Sequence, residues 1–523
     1  MQKLTKKKPT KKTNIKTECF LILDFGSQYT WLIARSLREL GFYSQVETFN
    51  IPLEKIKKLK PIGIILSGGP ASVLSKNSPH RNLKELLKIA PLMGVCYGLQ
   101  LICHEWGGKI IPSDRRSYGS SQIYWKKPLF KKNNIKKVWM SHGDFVSKMP
   151  KGFSVLAETE KKVPAAVESK NILAVQFHPE VSHTENGQKL LYYFAKNICG
   201  AKKNLWTKKS MLSLVKSQIQ NKLSSNDFVL CALSGGVDST IMACLLTKIL
   251  GASKVHCVFV DTGLLRKNEF QEVLSSYKKL PLNIKGVLAE KKFLSALKNI
   301  EDPEKKRKTI GRIFIEIFKE YKKHHPKIKY LAQGTLYPDV IESISIKGPS
   351  STIKSHHNVG GLPKNIPFKL LEPLRFLFKD EVRNLGQLLN VPASFLNRHP
   401  FPGPGLAVRI CGKITQDRLS KLRSADAIFL EELKKSNLYH KIWQAFAVLL
   451  SVKSVGVQGD QRTYDEMIAL RAITSIDGMT ADWFTFTNRF LHKVSDRITN
   501  EVKGINRVVY DITSKPPGTI EWL

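Results

Sequence analysis

The sequence lacks the features of a secreted, membrane-spanning or zinc-ribbon protein. Its eight cysteines are Cys19, Cys96, Cys103, Cys199, Cys231, Cys244, Cys257 and Cys411. They form no Cys-X-X-Cys pair, and most lie inside apolar runs, which argues against a disulfide framework or a zinc site and for a reducing compartment. No apolar stretch reaches the length that spans a bilayer, so no membrane partner is expected. Met1–Lys16 has no acidic residue, no secretory apolar core and no Arg-rich amphipathic pattern. It reads as a basic disordered tail (residues 1–16) on a cytoplasmic protein. Acidic residues are scarce, 43 against 84 Lys and Arg, which leaves a net charge of +41. The excess is mostly Lys, spread over the whole chain beside frequent Ile and Asn, as AT-rich coding produces. With no reading motif beside it, that charge predicts no nucleic-acid partner; attraction of anionic nucleotides is its by-product. Internal repeats are absent as well.

At 523 residues, 42% of them hydrophobic, the chain has the length for two to four domains and the apolar content for several cores. Short apolar runs alternate with helical periods in two blocks. The first has Cys19–Phe25, Ile62–Leu66, Leu92–Val95 and Leu173–Phe177; the second has Phe228–Leu233, Val255–Val260 and Lys329–Ala332. Strands alternating with helices predict an α/β fold with two doubly wound parallel sheets, whose ligands bind beyond the strand carboxyl ends. Residues 201–210 read as a linker. From about residue 396 the texture changes to Pro- and Gly-rich punctuation, then to a mixed α+β pattern. The predicted organisation is 17–203, 204–395 and 396–523, after the tail.

Cys96 lies in Gly94-Val95-Cys96-Tyr97-Gly98-Leu99-Gln100, between a predicted strand and a helix over Leu99–Trp106. A thiol on such a turn sits at a helix N-terminus, whose partial positive charge favours the thiolate, and the flanking glycines allow a strained backbone. The N–H of Tyr97 then faces a developing oxyanion. Gly68 and Gly69, after another strand, offer a second donor. His178 and Glu180 share a face if the segment is extended, so Glu180 orients the imidazole and His178 moves the thiol proton. Taken singly, the cysteine and the histidine are ordinary core residues; together they read as a catalytic triad. From Leu23–Gln28 through Ser141–Asp144 to His178-Pro179-Glu180, the segment resembles the class I glutamine amidotransferases. That resemblance implies that Gln100, Ser141, His142, Gly143 and Asp144 help hold glutamine.

Ser234-Gly235-Gly236-Val237-Asp238-Ser239-Thr240 joins a predicted strand to a helix, an arrangement whose N–H groups face a phosphate. It lacks the Lys-Ser/Thr ending of a Walker loop. It resembles the loop of the ATP pyrophosphatases, which cut ATP between its α- and β-phosphates. Asp261 and Gly263, at the end of the next strand, suit nucleotide contact. Asp302–Arg307 reads either as a helix start around Pro303 or as a basic lid over phosphates.

Val260–Arg266, Gln333–Ser343, Ser355–Pro363, His399–Leu406 and Tyr510–Trp522 resemble the glutamine-hydrolysing GMP synthases along nearly all of the chain after the tail. The resemblance implies amination of XMP to GMP, with glutamine, ATP and Mg²⁺ consumed or required, and with AMP and pyrophosphate released. It also implies a homodimer through residues 396–523 and XMP contacts at Arg266, Gln458, Lys515 and Glu521. The chain departs from the family pattern at Trp31, Ser117 and Leu523, where Gln, Glu and Glu are usual. Alternatives are a tRNA-modifying ATP pyrophosphatase, which often uses paired cysteines, and another amidotransferase-coupled synthetase. A non-enzymatic nucleic-acid binder is opposed by the intact triad and phosphate loop.

Overall fold

Continuous apolar runs become the central strands of two sheets, because parallel strands are covered by helices on both faces. The computed structural model describes residues 18–523 apart from 128, 130–134, 203–205, 225, 338, 340–365, 459, 476–479 and 516, and without the side chains of residues 113–118 and 458. The basic tail, Ser355–Pro363 and most of Pro338–Ser343 lie outside the described residues. The described chain separates into two compact units, one up to Leu214 and the other from Val215. Among the described residues, no helix is long and apolar enough to cross a membrane, and all eight cysteines are free.

The first unit carries β1 (Cys19–Asp24), β2 (Tyr43–Thr48), β3 (Gly63–Leu66), β4 (Leu92–Val95), β5 (Lys109–Trp125), β6 (Lys137–Lys148), β7 (Ser154–Thr159), β8 (Pro164–Ser169) and β9 (Ile172–Val175). They form one sheet in the order β2-β1-β3-β4-β9-β8-β7-β5-β6. The first five strands are parallel, as expected. The other four extend the sheet with antiparallel pairs, which the parallel reading had not included. Phe20, Leu21, Ile22 and Leu23 of β1 are fully buried, each contributing about 1.5–3 kcal/mol. Phe20 pairs in register with Gly63, where a Cβ would lie 2.8 Å from the Phe20 ring. The helix Lys208–Lys222 begins inside the predicted linker.

The second unit has two sheets. β10 (Phe228–Leu233), β11 (Val255–Asp261), β12 (Asn283–Leu288), β13 (Ile328–Ala332) and β14 (Lys369–Leu371) are all parallel, in the order β12-β11-β10-β13-β14. The mixed sheet contains β15 (Ile410–Cys411), β16 (Gln444–Gln458), β17 (Gln461–Thr474), β18 (Asp482–Trp483) and β19 (Ile505–Tyr510), with β19 beside β17. One apolar cluster runs from Leu230, Val258 and Leu331 through Leu406 and Phe429 to Ile468 and Ile505. The core is therefore unbroken across residue 396, where the change in sequence texture suggested a boundary.

The sheet of the first unit and the all-parallel sheet of the second bring the sequence motifs to adjacent strand ends. In the first unit the turns after β3, β4 and β9 carry Gly68, Cys96 and His178. In the second, β10 is followed in the chain by β11 on one side and later flanked by β13 on the other. Ser234–Thr240 therefore opens at a topological switch point, the place where such sheets bind ligands.

Candidate active sites

Cys96 joins β4 to the helix Tyr97–Glu105 with φ 54° and ψ −105°. Such a conformation is unfavourable for a residue with a Cβ and persists only where the surroundings enforce it. They do so here. The Cys96 N–H donates to Val175 O at 2.8 Å, and Gly98 packs so tightly that a Cβ would lie 2.5 Å from Leu66 O. The helix starts at Tyr97, two residues earlier than the periodicity predicted, which brings its N-terminus directly to the thiol. The thiol is nearly buried, with Sγ 3.4 Å from Ser141 O.

His178 and Glu180 lie in a turn beyond β9, not on an extended segment, yet His178 Nδ1 is 2.7 Å from Glu180 Oε1. Burial opposes a charge on His178. The Glu180 carboxylate and the hydrogen-bonding partners Cys96 and Glu180 outweigh it and hold the ring well above its usual range. A Cβ on Gly68 would lie 3.0 Å from His178 Cε1 and 3.5 Å from Cys96 Cβ. Glycine there lets the β3 turn close over the catalytic pair. Gly69 is equally confined, 2.7 Å from Phe25 O by the same measure. Gln100 is buried and spends its amide on Asp144 O at 2.8 Å and Gln176 Oε1 at 3.3 Å. It therefore braces the β6 segment Ser141–Asp144. His142 Nδ1 lies 2.9 Å from Asp144 O, and burial pushes its pKa down. Asp144 Oδ2 is buried without a hydrogen-bond partner.

The phosphate loop is organised by its own hydroxyls. Ser239 Oγ accepts from Ser234 N at 3.2 Å, and Gly236 N donates to Ser234 Oγ at 3.3 Å. Thr240 Oγ1 donates to Gly236 O at 2.7 Å and meets the Tyr277 hydroxyl at 2.9 Å. Gly235 needs its φ of +77°, and Gly236 precedes the helix Val237–Leu250. Burial raises the Asp238 pKa, Lys379 and Arg383 oppose it, and Asp339 adds to it. Asp238 Oδ1 has no hydrogen-bond partner. Gly334, after β13, packs against Ser239 N, where a Cβ would stand 3.3 Å away. Asp261 Oδ1 caps Gly263 N at 3.0 Å.

Arg266 and Glu521 are linked through Phe401 and Arg409. Arg266 pairs with Asp426 at 2.9 Å and stacks on Phe401 at 4.9 Å. Arg409 stacks on the same ring at 5.1 Å and holds Glu521 at 3.0 Å. Gln444 donates to the same carboxylate at 2.7 Å. The last residues wrap Arg471, which donates to Thr513 O and Thr519 O at 2.6 and 3.0 Å. Lys515 is fixed there by a backbone bridge to Ala481. Gln458 is not brought to this group. It ends the 15-residue strand β16, whose other end is Gln444, roughly 45 Å away at the strand rise. Leu523, one of the departures, accepts from Arg307 through its backbone carbonyl.

Several residues escaped the sequence reading. Arg398 donates to Gly235 O at 2.7 Å and pairs with Glu269, whose other oxygen takes Arg266 N at 3.0 Å. Thr184 Oγ1 donates to His178 O at 2.6 Å, and the Tyr29 ring meets His178 edge-on at 5.0 Å. The Asp302–Arg307 segment is a helix start, with Asp302 Oδ1 capping Lys305 N at 2.7 Å. Lys306 does not face solvent as a lid would. It is fully buried and donates to Ala407 O, Ile410 O and Gly412 O at 3.2, 2.8 and 2.8 Å.

A strained cysteine beside a His–Glu pair, in one chain with a serine-glycine phosphate loop at a sheet switch point, defines the class: an amidotransferase coupled to an ATP-using synthetase. Comparison with known proteins narrows it. Residues 21–198 match the class-I glutamine amidotransferases, 208–311 NAD synthase and 431–522 the GMP synthase C-terminal domain. The GMP synthase (glutamine-hydrolyzing) of Bdellovibrio bacteriovorus is 58% identical over 503 residues, spanning 96% of this chain and 99% of that protein. Those of Thermosipho melanesiensis and Helicobacter pylori are each 53% identical, with the same coverage. The chain belongs to the glutamine-hydrolysing GMP synthases, carbon–nitrogen ligases of purine biosynthesis.

Proposed function

We propose that the family reaction divides between the two units at the residues described above. In the first, His178 takes the Cys96 proton and the thiolate attacks the glutamine amide carbon. Negative charge on the amide oxygen is met by N–H groups at Tyr97 and at Gly68 or Gly69. His178, kept charged by Glu180, then protonates the departing ammonia, and water releases glutamate from the thioester. Asp144, with one buried oxygen lacking a hydrogen-bond partner, suits the substrate ammonium.

In the second unit, Ser234–Thr240 grips the β- and γ-phosphates while the XMP C2 oxygen attacks the α-phosphate. Pyrophosphate leaves, and ammonia displaces AMP from the adenylated base. Mg²⁺ favours a few carboxylate oxygens together with substrate phosphates, and Asp238 fits because its Oδ1 has no hydrogen-bond partner. Bound there with ATP, it would neutralise phosphate charge. Asp261 and Gly263 border the nucleotide at the end of β11. Arg266, Lys515 and Glu521 face XMP, with Lys515 a point charge for its phosphate. Residues 17–203, 204–395 and 396–523 supply glutaminase, ATP and XMP functions, the last two within one folded unit from Val215 onward.

The chain acts as a cytoplasmic homodimer. Val455, Val457 and Tyr464 are exposed on β16 and β17, with Val455 directly opposite Tyr464. Such an apolar stripe suits a second copy. Dimerisation also offers a route for Gln458 to reach the partner's XMP site.

The carrying observation is the pairing of the triad with the switch-point phosphate loop in one chain. Cys96→Ala tests the division: glutamine-dependent GMP formation is abolished, and added ammonium restores it. Failure with ammonium, in a folded protein, would overturn the assignment.

A further inference from the structure

Outside both sites, His80, His104 and Glu105 bring three candidate ligand atoms within 4.8 Å of one another. The two imidazole rings are 5.8 Å apart by centroid. His104 and Glu105 close the helix that follows Cys96. His80 belongs to the segment that leaves the Gly68–Gly69 turn. Ser78 Oγ, 2.8 Å from His80 Nε2, orients that ring. We infer that His80, His104 and Glu105 form a binding site for a divalent transition metal of the zinc or nickel type, which clamps the segment after Gly69 onto the catalytic helix.

The donor set supports this class of ion. Two imidazoles and a carboxylate suit zinc, nickel and copper, whereas calcium and magnesium demand oxygen-rich sets. In a tetrahedral zinc site, nitrogen ligands stand about 3.3 Å apart. Both histidines are exposed, so rotations about their side-chain bonds close the remaining gap, with His80 giving up its contact with Ser78 where the ring must turn. The ligands also sit at a helix C-terminus, whose partial negative charge favours a cation. Three protein ligands leave further positions for water.

The position gives the ion a structural task. The Tyr97 hydroxyl already donates to Pro79 O at 2.8 Å and ties the same segment to the first turn of the helix. A metal at His80 would add a second tie at the last turn. The segment would then be fixed at both ends of the helix that presents the nucleophile.

The experiment must exclude Cys96, whose thiolate is itself capable of binding zinc. Titration of untagged Cys96→Ala protein with Ni²⁺ and Zn²⁺ by calorimetry should show one site. Loading with Co²⁺ should give visible d–d bands without a thiolate charge-transfer band. His80→Ala and His104→Ala, each in the Cys96→Ala protein, should weaken binding about tenfold or more, a difference of about 1.4 kcal/mol. Saturating Zn²⁺ should raise the thermal midpoint of the first unit in Cys96→Ala and not in the His variants. Far-UV circular dichroism and the metal-free thermal midpoint of the first unit should be equal in all three proteins and verify that they are folded. Absence of binding in Cys96→Ala, or binding unchanged by His104→Ala, overturns the proposal.

Discussion

Gly68→Ala is the most discriminating perturbation of the thiol site. The new methyl would stand 3.0 Å from His178 Cε1, 3.3 Å from Ser27 Oγ and 3.5 Å from Cys96 Cβ. Unstrained carbon contacts fall at about 3.5–4.0 Å, so the imidazole or the turn must yield by about 0.5 Å. The ring has little freedom to move, because Glu180 holds Nδ1 at 2.7 Å and Tyr29 covers its edge at 5.0 Å. A misplacement of about 1 Å costs on the order of a hundredfold in rate. Half that displacement predicts about a tenfold loss of glutamine-dependent kcat/KM, or ~1.4 kcal/mol of transition-state stabilisation. The φ of Gly68 is not left-handed, so an alanine fits the backbone and the protein stays folded. The assay measures glutamate release, and GMP formation with glutamine or with ammonium. Ammonium-dependent synthesis should match the wild type. Unaltered glutaminase activity, or equal loss with both nitrogen sources, would refute the proposed closure of the β3 turn over His178.

Three further predictions concern charge. Arg398→Ala should release both Gly235 O and Glu269, cutting XMP-dependent pyrophosphate formation about tenfold with either nitrogen source; glutaminase activity measured alone should persist. Burial pushes the Lys306 amino group down to about 8, below the unfolded value of about 10.4, so the unfolded chain binds more protons between those values and stability rises with pH there. Lys306→Met leaves three carbonyls without this donor and should destabilise the second unit by about 2–4 kcal/mol at pH 7, with the slope above about pH 8 lost; urea melts at several pH values report both. His178 is raised above its unfolded pKa of about 6.5, so its contribution is fully present below about pH 6.5 and fades as pH climbs through the folded value. Glu180→Gln removes the supporting carboxylate, so the first unit should lose that acid-side stability, and denaturation at about pH 6 and pH 9 should differ less than in the wild type.

Local signals made much of this architecture legible. Cys96 was readable because Gly94 and Gly98 bracket it between an apolar strand and a helix, and the strained φ is the structural counterpart of that spacing. Ser234–Thr240 was readable for the same reason, and Phe228–Leu233 and Val255–Val260 marked the strands beside it. What escaped notice was long-range. Arg398 reaches Gly235 from more than a hundred residues downstream, and nothing in Asn397-Arg398-His399 signals that partner. Lys306 read as part of a solvated helix start or a basic lid, because burial of a charge depends on acceptors supplied by distant backbone. The antiparallel extension β5–β8 was missed because strands covered on one face read only as loose alternation. His399, in the Pro-Gly punctuation, accepts from Ala445 N at 3.3 Å through Nδ1 and meets Tyr439 O at 2.8 Å through Nε2. Burial drops its pKa to about 4, so its neutral ring acts as a bracket between segments that the sequence leaves unconnected.

The unbroken core across residue 396 limits how this enzyme can be cut or recombined. Leu406 N donates to Leu264 O at 2.8 Å, and a side chain at Gly405 would strike the same carbonyl at 2.4 Å. The turn after β11 is thus moulded onto the Pro-Gly segment. A fragment ending near residue 395 would uncover Leu264, leave the buried Lys306 without its three carbonyl acceptors, and should be recovered as aggregate. A chimera exchanging only residues 396–523 with a distant relative would have to rebuild that packing from both sides. Laboratory evolution of nucleotide preference should therefore treat residues from Val215 onward as one inheritable block, while the glutaminase unit offers an independent point of exchange.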